Sequence, residues 1–254
     1  MRAAKEVRVS FEFTAHSLPT VARVTGGLYV LYMVASVVAN ALGSIGLGDA
    51  DQVFAALATT PVSFRLGLLV AFVSAFLFLA TAWGLYVVLQ QVNREWSLLF
   101  LVLNAVGVAL HCASMLPLVA ALQLADPAGA GLHDFTAAQA DALALWSIGV
   151  YKTGFVTTQL FFGTWLFPLG YLVYRSGFLP RLLGVLLILD GIAEMIWLFQ
   201  ALVLPTHPEI RVPGTYVSLL AEVGLALWLL VRGVKIVDKG AGNPQPEMPS
   251  AGPR

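Results

Sequence analysis

An all-α polytopic membrane protein, a bundle of six transmembrane helices with both termini in the cytoplasm, is the fold this sequence predicts. Three observations predict it. Of the 254 residues, 59% are hydrophobic and only 11% are charged, with a mean hydropathy of +0.84, whereas soluble domains run about 45–50% apolar and about 25% charged. Six segments, roughly 21–43, 64–89, 96–122, 150–174, 180–204 and 214–236, each supply the ~20 mostly apolar residues that a helix needs to cross about 30 Å of hydrocarbon. Alternating apolar segments of about 10 residues, the barrel signature, are absent.

Each segment is punctuated by turn chemistry. The first follows a basic lead, and Ala39-Asn40-Ala41 mimics a cleavage site. That lead is long and polar and contains Phe11, Glu12 and Phe13, so the segment reads as a retained helix rather than a signal peptide. Asn93-Arg94 turns the chain between the second and third segments. Gly177 suits a left-handed helix end, and Pro180 suits the first position of the fifth helix. Pro205, Pro208, Pro213 and Gly214 mark the break before the sixth.

Beyond an outer loop at Asp126 to Gly131, Thr136 to Trp146 reads as helix, with Thr136 and Gln139 spaced as a capping box. Running unbroken to Tyr174, that helix would far exceed the bilayer. It is expected to project outward or to break near Gly149 or Gly154, and Pro168 is expected to kink the fourth span. The chain thus divides into a cytoplasmic N-terminal segment at 1–20, a six-helix transmembrane domain at 21–237, and a Gly/Pro-rich, disordered cytoplasmic tail at 238–254.

Charge placement predicts orientation. With both ends on one side, that side holds 11 of the 14 Lys and Arg residues, Arg94, Arg175, Arg181 and Arg232 among them. Only Arg65, Lys152 and Arg211 fall on the other side. The basic side is the cytoplasmic one, and an even number of crossings is required. The expected location is the bacterial plasma membrane. A single cysteine, Cys112, excludes a disulfide scaffold. A net charge of zero argues against nucleic acid as a partner. The basic loops suit anionic lipid instead. No cofactor is predicted.

Several runs are distinctive: Ala22-Arg23 with Gly26-Gly27-Leu28-Tyr29, Phe64-Arg65-Leu66-Gly67, Gln91-Val92-Asn93-Arg94, and Gly154-Phe155 with Phe161-Phe162-Gly163. The most specific is Leu169-Gly170-Tyr171-Leu172-Val173-Tyr174-Arg175-Ser176-Gly177-Phe178-Leu179-Pro180-Arg181-Leu182-Leu183-Gly184-Val185-Leu186. Glu222 and the run from Leu225 to Val234 close the set. With these residues the chain, over about 20–235, resembles the bacterial membrane family catalogued as domain of unknown function 4386. The resemblance implies a multi-pass membrane protein and no particular activity. It also implies Glu222. Related sequences often carry an acid within Leu68 to Ser74 and histidines near Tyr151 and Trp165, which this chain lacks. Asp190 and Glu194 stand where neutral residues are expected.

An ionisable residue inside a span costs at least about 2.5 kcal/mol and points to function by default. Asp190 and Glu194, four residues apart, share a face of the fifth helix. Glu222 on the sixth and His111 on the third reach similar depth in the outer half. Arg65 and Lys152 begin the second and fourth spans on that side, and Gln159 lies a turn or two further in. The inner half has mainly Asn104.

Three readings follow. Carboxyls near the midplane, a histidine and a kinked helix suit a carrier of a small solute or coupled to protons, although no clear pair of broken helices is evident. Alternatively, the polar groups pair with Arg65 or Lys152, or bond across helices, and only hold a structural or accessory protein together. Thirdly, His111, Asp190, Glu194 and Glu222 offer a mixed metal site for a membrane enzyme. However, no ligand motif or nucleophile elbow is present, so the balance leans away from an enzyme. The stripe Ala35, Ala39 and Gly43 reads as a helix-packing face. Among Trp83, Trp96, Trp146 and Trp228 are expected interface anchors.

Overall fold

A computed structural model of the chain describes residues 18–125 and 135–234. The expected tail at 238–254, the outer loop at Asp126 to Gly131 and nearly all of the 1–20 segment lie outside these. Among the described residues there are no strands, and six helical stretches are long and apolar enough to cross a membrane.

The first span is α1 (Leu18–Gly43) and the second α3 (Pro61–Leu89), joined through a short helix α2 (Ala50–Thr59). The third is α4 (Arg94–Ser114) with α5 (Leu116–Leu124). The fourth is α6 (Ala137–Thr157), α7 (Gln159–Thr164) and α8 (Leu166–Arg175). The fifth is α9 (Arg181–Val203), and the sixth is α10 (Val212–Val231), preceded by a 3-10 turn at Pro208–Arg211.

The local chemistry explains most boundaries. Asn93 accepts a hydrogen bond from the Trp96 N–H at 3.0 Å and so starts α4. Thr136 and Gln139 form the expected capping box of α6. Gly177 takes φ +72, which suits a residue without a Cβ. Pro180 stands one position earlier than expected, just before Arg181, with ψ extended at 128°.

Three features differ from the sequence expectation. The connection after the first span contains α2, which carries its own capping box between Asp49 and Gln52. The long fourth helix does not break at Gly149 or Gly154. Gly149 sits in open space within α6, and Gly154 lets Ser114 approach to 2.8 Å of where a Cβ would stand. The interruptions fall instead at Thr158, whose hydroxyl bonds back to the Phe155 carbonyl at 2.6 Å, and at Trp165, three residues before Pro168. Back-bonding hydroxyls bend helices. A proline lacks the N–H of its turn, and its ring crowds the carbonyl four residues earlier. The third span is interrupted in the same way at Met115, two residues before Pro117. A pair of broken helices is therefore present after all.

Packing arranges the spans as a closed ring in chain order. α1 packs on α3, α3 on α4, and α4 on the α6–α8 span. That span packs on α9, α9 on α10, and α10 on α1. Glycines permit the closest crossings. A Cβ on Gly26 would lie 2.8 Å from the Ala226 carbonyl oxygen, and one on Gly170 would lie 2.7 Å from that of Gly184. Ala39 and Gly43 of the expected small-residue stripe are buried against Gly67 of α3. One apolar cluster, with Tyr29, Phe78, Phe100 and Trp165, fills the ring toward the Arg94 and Arg181 end. A second, with Val53, Leu57, Met115, Leu118 and Ile148, binds α2, α5 and α6 into a tier at the opposite end.

Candidate functional site

Between the two clusters the ring encloses a cavity of about 380 Å³, and all six spans line it. Its polar wall includes His111 from the third span, Gln159 from the fourth, Glu194 from the fifth, and Ser218 with Glu222 from the sixth. Tyr32 and Phe78 wall it from the first two spans. Helix periodicity explains part of this set. Ser218 and Glu222 are one turn apart on α10, as Asp190 and Glu194 are on α9, so two polar faces meet where these helices cross.

Ser218 joins the two faces. Its hydroxyl is hydrogen-bonded to the Asp190 carboxyl and lies 3.5 Å from a Glu194 oxygen, with the Gly214 carbonyl at 3.2 Å. One hydroxyl proton cannot serve all three acceptors. The other carboxyl oxygens, Asp190 Oδ2 and Glu194 Oε2, are buried without a partner among the described residues. Asp190 is 1% exposed and lies behind the wall rather than in it. Tyr29, fully buried on α1, has no hydrogen-bond partner for its hydroxyl among the described residues.

The expected cations do not join the carboxyls. Lys152 donates its ammonium to the Gly46 carbonyl at 2.7 Å, and the Gly46 N–H donates to the Tyr151 hydroxyl at 2.8 Å. Gly46 has φ +103, open to glycine and costly for other residues. Lys152 and Tyr151 thereby hold the turn after α1 over one end of the cavity. Arg65 is exposed on α3. Among the described residues the one ion pair, His207 with Glu209 at 3.0 Å, lies outside the ring. The structural pairing of carboxyls with Arg65 or Lys152 is therefore not formed among the described residues: Arg65 is exposed and Lys152 is taken up by the Gly46 carbonyl.

The metal reading is corrected as well. Among the described residues no three His, Cys, Asp or Glu side chains gather closely enough to hold a metal ion. His111 is turned among rings instead, 5.4 Å from Phe155 and 6.1 Å from Phe162, and its Nδ1 is buried and unpartnered. Asn104 is fully buried with both amide atoms unpaired among the described residues, away from this cavity.

What the sequence reading missed is Ser218 and the aromatic wall. Ser218 carries a visible signal, since it precedes Glu222 by one turn. The rings carry none, because Tyr32, Phe78, Phe162 and Trp197 come from four different spans. Tyr151 and Trp165 also wall the cavity.

A ring of six apolar helices around a polar-walled cavity defines a multi-pass membrane protein. The chain belongs to the family described as Domain of unknown function (DUF4386), whose model matches residues 24–233. It is also similar to a protein of Archaeoglobus fulgidus described as "Uncharacterized protein", 30% identical over 106 residues. That match covers 37% of this chain and 59% of the relative's length. No solved structure matches the chain.

Proposed function

We propose that this protein is a carrier for a small solute or coupled to protons, working through the carboxyls of the cavity. The single observation behind this reading is the meeting of Glu194, Glu222, His111 and Gln159 around one cavity, with no cation among the described residues paired to either glutamate. Uncompensated polar groups at membrane depth are costly and rarely kept for packing alone. The interruptions at Met115 and Trp165 supply places where helix segments can reorient. The setting we assign is the plasma membrane, with both termini on the basic, cytoplasmic side.

The test is proton or solute flux into proteoliposomes, with Glu222→Gln and Glu194→Gln made separately and their unfolding followed in detergent. The carrier reading expects flux in the parent and its loss in at least one variant that stays folded. A parent without flux, combined with variants that merely lose stability, overturns it. That outcome favours the structural or accessory reading, which the Ser218 bridge between α9 and α10 supports.

A further inference from the structure

Aromatic rings from four spans line the cavity, and with His111 they form a continuous chain. Tyr32 stacks on Phe78 with centroids 4.5 Å apart. Phe78 meets the edge of Phe162 at 5.4 Å and of Trp165 at 5.2 Å. Phe162 leads through His111 to Phe155, and Phe155 meets Trp197 at 5.9 Å. The faces and edges of six aromatic rings and one imidazole thus surround a space that Glu194 and Glu222 enter.

Three properties of this space select a ligand. Its volume, about 380 Å³, lies within the range of about 300–1,000 Å³ typical of small-molecule sites. Its lining holds two carboxyls and aromatic rings with negative faces, and no Lys or Arg among the described residues; the nearest cations, Lys152 and Arg211, lie over the Phe155 and Trp197 rings at 5.5 and 5.4 Å. Its polar side chains are unfilled. Gln159 is 5% exposed and lines the cavity, with no side-chain hydrogen bond to another described residue. Glu194 Oε2 and His111 Nδ1 are buried and unpartnered. Aromatic faces plus carboxylates recognise amines and quaternary ammonium groups, and bind an attached apolar body as well. The cavity also reaches Val37 and Leu47, which are 68% and 73% exposed, so its rim is apolar.

We propose that the cavity binds an organic cation with an apolar or aromatic body, its ammonium held by Glu222 and Glu194 and its body packed on the ring chain. This deepens the carrier reading by naming the ligand class of the same site.

The probe is benzyltrimethylammonium, and the control is neopentylbenzene, which has the same shape without the charge. Binding to the purified full-length protein is read by quenching of tryptophan fluorescence, since Trp165 and Trp197 stand in the wall, and by the shift in unfolding temperature. Saturable binding of the cation is expected, at least about tenfold tighter than binding of the neutral isostere. Removing one member of a buried charge pair is costly. Glu222→Gln or Glu194→Gln should therefore weaken the cation by about tenfold or more and leave the isostere unchanged. Equal affinity for the two probes in the parent protein overturns the proposal, and that comparison needs no variant to fold. Unchanged cation affinity in both folded variants overturns it too. Cation binding without flux in proteoliposomes sinks the carrier reading and keeps this one. Proton flux without cation binding does the reverse.

Discussion

The Lys152 ammonium lies 2.7 Å from the Gly46 carbonyl oxygen, 106 positions away in sequence. With the Tyr151 hydroxyl accepting the N–H of the same glycine, it fastens the turn after the first span to the fourth. Hydrogen bonds to charged groups contribute about 1.5–3 kcal/mol, and neutral ones about 1. Lys152→Met should lower stability by about 1–2 kcal/mol, and Tyr151→Phe by about 1. The same changes should make the 44–48 turn cut faster by an added protease. Unchanged cleavage in both variants would show that the turn is held otherwise.

Gly26 and Gly184 sit where helices cross backbone to backbone. Crowding a packed interior costs about 1–3 kcal/mol. Gly184→Ala is expected to fall in that range, because its Cβ would stand 2.6 Å from the Tyr174 amide nitrogen. Gly149→Ala, with nothing within 4 Å, should be neutral or slightly stabilising. Thermal unfolding in detergent measures both, and equal effects contradict the packing described.

Ser218 and Asp190 should be energetically coupled. In a double-mutant cycle with Ser218→Ala and Asp190→Asn, an interaction of about 1 kcal/mol is expected, the scale of hydrogen bonds between membrane helices. Additive effects would mean that the contact contributes nothing to the α9–α10 pairing.

Gln159 should trade stability against function. The residue is 5% exposed and lines the cavity, with no side-chain hydrogen bond to another described residue, and a polar group left unpaired on burial costs about 1–3 kcal/mol. Gln159→Leu should raise the unfolding temperature of the ligand-free protein while weakening ligand binding. A variant less stable than the parent argues that the amide is satisfied.

Topology is testable independently. A reporter fused after Asp126 should read as outside, and one at the C terminus as inside. A cytoplasmic signal at Asp126 rules out the proposed orientation.

The spans were legible because hydrocarbon imposes length and apolarity on each of them, and Asn93, Thr136 and Gly177 end or begin helices by local chemistry that any context preserves. α2 was missed although Asp49 and Gln52 spell its capping box, since ten residues between two spans read as loop. The breaks at Thr158 and Trp165 depended on which of several glycines and prolines tertiary packing would use. Gly154 was spent on contact with Ser114. For the site, Glu222, Glu194 and His111 announced themselves by their cost in lipid. Lys152 looked like their partner, but its bond to Gly46 is set by a turn far away in sequence, and no spacing rule reports that.

The fourth span touches every level of the cavity. Tyr151 and Lys152 hold its end turn, Phe155, Gln159 and Phe162 form one side, and Trp165 stands at its base. One stretch of chain, interrupted at Thr158 and Trp165, therefore ties roof, side and base of the cavity together covalently, so no level of it is built without the fourth span.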